Sequence, residues 1–224
     1  MPNSAKYPRT FHFPFSPGKS NDDKVQHDLS FLLNTPLVIT EKMDGSCVSM
    51  SSTDIFARTH SGPPKHKSFD SAKAIHASIK HLMPEGLDFF GEYVYAKHSI
   101  EYTELPGYFL LFGIRDNFAS KDMPFWRSWK TVEDWAEQLG LNTVPALEKT
   151  TLSSEKELQN IVEKHMKQSS LYGNTREGVV VRRVLPFSDR EFSKAVLKMV
   201  RFGHIGGGDS HWLNKKIISN KLKL

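Results

Sequence analysis

Short apolar runs that read as strands outnumber helical patterns along this chain, and the two interleave without a βαβ rhythm. Leu37–Lys42, Cys47–Met50, Ile55–Ala57, Leu87–Val94, Tyr108–Ile114, Gly178–Val184 and Ala195–Val200 are rich in β-branched and aromatic residues between polar breaks. Helical spacing covers Asp70–Leu82, Thr131–Leu139 with Thr131 as its cap, and Ser153–Met166, where Ser153 and Glu157 read as the cap. A short helix is expected over Asp22–Leu33, with its acidic residues at the start. Strands that do not alternate one for one with helices predict an α+β fold rather than a doubly wound parallel sheet.

The edges of the chain read differently from its middle. Residues 1–36 are rich in proline and aromatics, and Phe11-His-Phe-Pro-Phe-Ser-Pro-Gly18 is incompatible with a regular helix. They predict an ordered arm packed on a core over 37–205. Residues 206–224 read as a basic tail or short helix, with Gly206-Gly207-Gly208 as a hinge before it.

The longest apolar run, Tyr108–Ile114, is far shorter than the roughly 20 residues that span a bilayer, so no membrane partner is expected. One cysteine, Cys47, excludes an intramolecular disulfide and any zinc site built from cysteines. That makes the cytoplasm the default compartment. Thirty basic against 25 acidic residues give a net charge of +5, compatible with a polyanion.

Lys42-Met43-Asp44-Gly45 ends one strand run and precedes the next. A lysine at a strand end is held by the sheet and faces whatever pocket opens there. An amine attacks only when deprotonated, so such a site must lower its pKa through nearby cations or a metal. Asp44 suits holding the lysine or a metal's waters, and Gly45 suits close approach of a ligand. Asp-Gly is equally the commonest hairpin dipeptide, so a plain β-turn accounts for these four residues alone.

Further segments change that balance. Arg58-Thr59 follows one hairpin later, then Phe90-Gly-Glu-Tyr93, Leu110-Leu-Phe-Gly-Ile114, Glu177-Gly-Val-Val180 and Leu197-Lys-Met-Val-Arg201. In this order they resemble the nucleotidyltransferase motifs of DNA ligases, RNA ligases and mRNA capping enzymes. The match spans residues 38–201. The opening Lys6-Tyr-Pro-Arg-Thr10 with Phe13-Pro-Phe-Ser-Pro17, and Lys198–His204 followed by Asp209-Ser-His-Trp212, resemble small bacterial and phage ATP-dependent RNA ligases.

That resemblance implies antiparallel sheets with flanking helices around an ATP pocket. It implies Lys42 as the nucleophile that takes AMP from ATP, with Asp44 and Lys198 as further catalytic residues. Thr40, Glu41, Lys42, Arg58, Glu92, Phe112 and Lys198 would bind the nucleotide, Phe112 by stacking on adenine. Glu177, Asp44 and Glu92 would serve Mg²⁺ or Mn²⁺. RNA carrying 5′-phosphate and 3′-hydroxyl ends would be the partner, and no protein partner is readable. One departure stands out: the second lysine usual in the last motif is Val200, followed by Arg201. Only 23 residues follow Arg201, too few for the OB-fold of DNA ligases and capping enzymes.

Alternatives at this level are a polynucleotide 5′-adenylylase, a DNA-nick ligase, a GTP-using transferase, and a nucleic-acid binding module with a degenerate pocket. The arm and the tail are the candidate RNA clamps, and removing either is expected to spare adenylylation of Lys42. Trp212 beside Lys215 and Lys216 is a candidate for stacking on a base. His60, His66 and His76 read as surface histidines.

Overall fold

The β-branched and aromatic runs pair into two sheets, seen in a computed structural model that describes residues 6–59, 61–118, 124–203 and 217–223. In chain order the strands begin with β1 (Phe11–His12), β2 (Pro36–Lys42), β3 (Ser46–Met50) and β4 (Ile55–Ala57). Helix α1 (Asp70–Ile79) follows, then β5 (Leu87–Tyr93), β6 (Phe109–Asp116), β7 (Phe125–Trp126) and helix α2 (Trp129–Gln138). Next come β8 (Asn142–Thr143), β9 (Ala146–Thr151), helix α3 (Glu155–Met166) and β10 (Gly178–Arg183). The described elements end with β11 (Phe187–Ser188), α4 (Phe192–Ala195) and β12 (Val196–Val200).

One sheet runs β1-β12-β10-β2-β9, and the other β11-β7-β6-β5-β3-β4 with β8 against β6. Pairing is antiparallel except for β1 with β12 and β6 with β8. The fold is therefore α+β with antiparallel sheets.

Two apolar clusters hold it. The larger packs β3, β5 and β6 residues such as Val48, Phe89, Phe90 and Leu111 with Trp129 and Val132 of α2 and Ala72 of α1. The smaller joins Ile39, Val179, Val181 and Leu197 of the first sheet to Leu158 and Val162 of α3. The arm completes it with Phe13, Leu29 and Leu32, each at most 2% exposed. Burying one such side chain contributes about 1.5–3 kcal/mol, so the arm is part of the core.

Local chemistry moved several boundaries. The helix expected over Asp22–Leu33 does not form, and only a 3₁₀ turn at Ser30–Leu32 remains. Asp23 accepts from the Ser20 amide and hydroxyl, and Asp28 accepts from those of Ser30. Such local bonds compete with a helical ladder. Val25 instead bridges to His12. Helix α2 is capped by Ser128, whose hydroxyl accepts from the Thr131 amide at 3.1 Å, not by Thr131. Helix α3 is capped by Ser154, while the amide and hydroxyl of Ser153 donate to Glu157.

Residues 217–223 form neither helix nor free tail. They bridge to the loop after β5, with Ser219 opposite Ala96 and Leu222 opposite Leu105. The expected hinge at Gly206–Gly208, and Trp212, Lys215 and Lys216, lie outside the described residues, as does His60.

Candidate active site

β2 and β3 belong to different sheets, so the Lys42-Met43-Asp44-Gly45 turn is a crossing between sheets rather than a hairpin. Gly45 serves that crossing. A Cβ there would stand 2.5 Å from the Tyr93 carbonyl oxygen, so the close approach is to protein backbone as well as to the pocket. Beside Lys42, antiparallel pairing sets Gly178 of β10, which brings Glu177 alongside. Lys198 of β12 is in register with Val180 of β10 and with His12 of β1. From the other sheet, Glu92 faces Cys47 across β5 and β3.

Phe112 reaches the same place through a register slip. Pairing between β5 and β6 passes from Phe90–Gly113 to Gly91–Leu111, leaving Phe112 as the extra residue. A bulge of this kind re-aims a side chain, so strict alternation of faces along Tyr108–Ile114 breaks there.

The result is a cavity of about 290 Å³ between the sheets. Thr40, Glu41, Lys42, Arg58, Glu92, Phe112 and Lys198 all line it. Thr40 also donates its hydroxyl to the Val180 carbonyl at 3.3 Å. Residues not foreseen share the lining, among them Tyr7 and Thr10 from the arm, Cys47, Val144 and Arg182. Tyr7 packs within 5.5 Å of the rings of Phe90, Phe112, Trp126 and Phe192. The Arg182 guanidinium lies 5.7 Å from the Phe112 ring and 5.2 Å from that of Trp129, and it donates to the Phe112 carbonyl. An arginine two places after Val180, on the same face of the strand, was the signal for it.

Charge in the site is tightly arranged. Lys42 Nζ stands 2.5 Å from Glu177 Oε1. Burial works against the Lys42 ammonium, but the carboxylates of Glu177, Glu92 and Asp44 outweigh it and hold the pKa above the ordinary lysine range. The unliganded nucleophile is therefore protonated, opposite to what attack requires. Burial pushes Glu92 up to about 8. Burial and then the charge of Lys42 bring Lys198 down to about 8.

Three expected site residues are not among the cavity's lining: Asp44, Arg201 and Glu177, the last of which meets the site through its contact with Lys42. Asp44 is not among its lining residues, and its Oδ2 accepts from the Ser99 amide, the Ser99 hydroxyl and the Ile100 amide, each at 2.8 Å. Arg201 is exposed and does not line the pocket, so it does not stand in for a second lysine there. Glu41 borders the pocket, but its carboxylate accepts from the Leu171 amide at 3.0 Å and lies 3.5 Å from Arg176 Nε.

Glu92 and Glu177 offer hard oxygen donors beside Lys42. That suits Mg²⁺ or Mn²⁺, which bind through one or two carboxylates together with substrate phosphates and water. The Asp44 carboxylate, expected to serve the metal with Glu92 and Glu177, turns its Oδ2 toward Ser99 and Ile100. Among the described residues no group of three His, Cys, Asp or Glu is placed to cage a metal without substrate.

A second cavity of about 760 Å³ adjoins the first and shares Gly45, Cys47 and Arg58 with it. Lys6, Lys65, His66 and His98 line it along with Arg58, and the described residues lining it include no carboxylate. No helix among the described residues is long and apolar enough to cross a membrane.

A lysine at a crossing between two antiparallel sheets, with carboxylates and a second lysine converging from neighbouring strands, defines a nucleotidyltransferase-type fold. The RNA ligase family profile matches residues 35–200, and the chain belongs to that family. No curated protein matches the sequence. Solved structures of an RNA ligase from Naegleria gruberi share the fold. The form with pyrophosphate superposes with a TM-score of 0.57 at 18% identity, covering 88% of this chain and 61% of that one. An apo form with an Asp-to-Ala substitution gives 0.57 at 16%, covering 88% and 55%. A form with ATP and manganese gives 0.55 at 18%, covering 84% and 57%. The chain thus spans between half and two thirds of the length of these neighbours.

Proposed function

We propose that this protein is an ATP-dependent RNA ligase that joins 3′-hydroxyl and 5′-phosphate ends. One observation carries the reading. Lys42, 2.5 Å from the Glu177 carboxylate, faces a pocket whose lining includes Glu92, Arg58 and Lys198. A binding module has no use for a half-buried amine set among acid and base groups.

In the first step the Lys42 amine attacks the α-phosphorus of ATP. The N–P bond forms as the bond to the β-phosphate oxygen breaks, and pyrophosphate leaves. The proton that Lys42 must lose has Glu177 Oε1 as the acceptor within reach. Lys198 and Arg58 offset negative charge as it shifts to the leaving group. Phe112 and Tyr7 form the apolar wall for the base. A divalent cation, held by Glu92 and Glu177 with the phosphates, supplies charge neutralisation when bound. In the second step a 5′-phosphate oxygen of RNA displaces Lys42 from the AMP phosphorus. In the third, a 3′-hydroxyl attacks the RNA 5′-phosphate, and AMP leaves as the strand is sealed. The basic cavity sharing Arg58 with the nucleotide pocket suits the phosphorylated RNA end. Repair of broken RNA in the cytoplasm is the role such chemistry serves.

Intact-mass spectrometry after incubation with ATP and Mg²⁺ or Mn²⁺ tests the first step. The expected result is an adduct of AMP mass on the parent and none on Lys42→Ala. Folded parent protein that was not already adenylylated, yet takes up neither AMP nor GMP, would overturn the reading in favour of a binding module. Joining assays with RNA and DNA ends then separate an RNA ligase from a DNA-nick ligase or a 5′-adenylylase.

A further inference from the structure

Asn220 is 1% exposed and uses its backbone and side chain together. Its Oδ1 accepts from the Tyr102 amide at 2.9 Å, and its Nδ2 donates to the Val94 carbonyl at 2.8 Å. Its amide donates to the Tyr95 carbonyl at 2.8 Å, and its carbonyl accepts from the Tyr108 hydroxyl at 3.3 Å. On either side, the Lys97 amide donates to the Ile218 carbonyl, and the Lys221 amide donates to that of Tyr102. The Leu105 amide donates to the Lys221 carbonyl. Residues 217–223 are thus stitched to the segment from Val94 to Leu105, with one further bond from Tyr108.

That segment touches both halves of the nucleophile's surroundings. The Tyr102 side chain is fully buried, and its hydroxyl oxygen accepts the Asp44 amide hydrogen at 2.8 Å, two residues after Lys42. Ser99 and Ile100 hold the Asp44 carboxylate from the same segment. On its other side Tyr102 bridges Gly173, and the Thr103 amide donates to the Tyr172 carbonyl at 2.9 Å, in the stretch that leads to Glu177. The turn that carries Lys42 and the approach to Glu177 are therefore fixed to one hub, and residues 217–223 close that hub.

We propose that residues 217–223 are a clasp that positions the Lys42 nucleophile, with Asn220 and Tyr102 as its positioning residues. This rests on the reading of Lys42 as the group that takes AMP. Neither residue lines the nucleotide pocket, so the clasp acts on how Lys42 is presented and not on how tightly ATP is held. It acts on the step in which Lys42 attacks, and much less on sealing of RNA that already carries a 5′-adenylate.

The test compares the parent with Tyr102→Phe and Asn220→Ala, full chain in each case. Timed intact-mass measurements over an ATP series give the rate of adduct formation and the half-saturating ATP concentration. A second assay follows joining of RNA supplied with a 5′-adenylate, and thermal melts establish that each variant is folded. Tyr102→Phe keeps the ring and removes only the hydroxyl, so it carries the test if Asn220→Ala does not fold.

The expected result is adenylylation about tenfold slower at saturating ATP, the consequence of losing one buried hydrogen bond at the nucleophile's turn. Half-saturating ATP and joining of adenylated RNA should both stay within about threefold of the parent. A folded Tyr102→Phe that adenylylates at the parental rate overturns the proposal. So does a loss of adenylylation matched by an equal loss of joining, which marks general damage. A parent that forms no Lys42 adduct overturns the ligase reading itself, and the clasp's role with it.

Discussion

Glu92 is the residue on which stability and chemistry pull hardest against each other. It is half-buried beside Lys42, Glu177 and Asp44, and desolvation pushes its carboxyl from an ordinary value of 4.5 up to about 8. The folded state therefore keeps a proton that the unfolded chain releases near pH 4.5. Stability falls as pH rises from about 4.5 to about 8, and stays at the lower level above that. Glutamine has the same shape and never ionises. Glu92→Gln should melt higher than the parent above pH 8, by on the order of 2 kcal/mol or about 4–8 °C, and the gain should vanish below pH 4.5. Adenylylation by the same variant should drop at least about tenfold, because a functional carboxylate held at a cost to the fold is the common form of this trade-off. Melting curves at pH 4 and pH 8.5 decide it, and a variant that melts no higher at pH 8.5 would show that the charge is well accommodated.

Among the elements, the arm differs most from what its sequence suggested. The sequence predicts residues 1–36 to be a packed arm and an RNA clamp dispensable for adenylylation, yet Tyr7 and Thr10 line the nucleotide pocket. The arm is fastened to β12 by bonds from the Phe13 amide to the Lys198 carbonyl, from the Val200 amide to the Ser16 hydroxyl, and from the Gly18 amide to the Val200 carbonyl. A Cβ at Gly18 would stand 2.3 Å from the Arg201 carbonyl oxygen and 2.7 Å from that of Val200. Gly18→Ala should therefore pry the arm loose, cost about 1–3 kcal/mol, and raise half-saturating ATP for adenylylation by at least about threefold. A thermal melt with an ATP titration checks both, and unchanged ATP dependence would free the arm from the site.

The seven strands expected from sequence all form, because each is a dense run of β-branched or aromatic residues. β9 was not legible. Ala146-Leu-Glu-Lys-Thr-Thr151 is an edge strand with polar side chains on both faces, and it is defined by its pairing with β2 rather than by its own pattern. Helix starts were missed by two or three residues at α2 and by one at α3, where two hydroxyl residues compete for one cap. In the site, Lys42, Arg58, Glu92, Phe112 and Lys198 from the ordered motifs line one pocket, whereas Asp44 and Glu177 do not. What sequence could not show was that Asp44 spends its Oδ2 on Ser99 and Ile100, because those partners lie more than 50 residues away. The arm's share of the pocket was hidden for the same reason.

At the scale of the whole molecule, two adjoining cavities differ in charge: Glu41 and Glu92 border the first, whereas the described residues lining the second include no carboxylate. Lys6, Arg58 and Lys65 around the larger cavity concentrate positive potential where the net charge of +5 alone would be diffuse. Under the proposed ligase function, this surface is where a phosphorylated RNA end would bind. Each phosphate neutralised on a single strand steepens the fall of log affinity with log salt by about 0.7. Lys65→Glu replaces one cation of the cavity by an anion. The variant should bind 5′-phosphorylated RNA about three- to tenfold more weakly at low salt, with a salt slope shallower by about 0.7 or more, so that parent and variant converge as salt rises. Titrations of labelled RNA at two or more salt concentrations measure the slope. Adenylylation of Lys42 followed on the same variant without RNA separates the two cavities, since the nucleotide pocket meets this one only at Gly45, Cys47 and Arg58. Equal affinity and equal slope would place the RNA elsewhere on the molecule, whereas a loss confined to RNA binding makes Arg58 the boundary between the nucleotide and the strand that receives it.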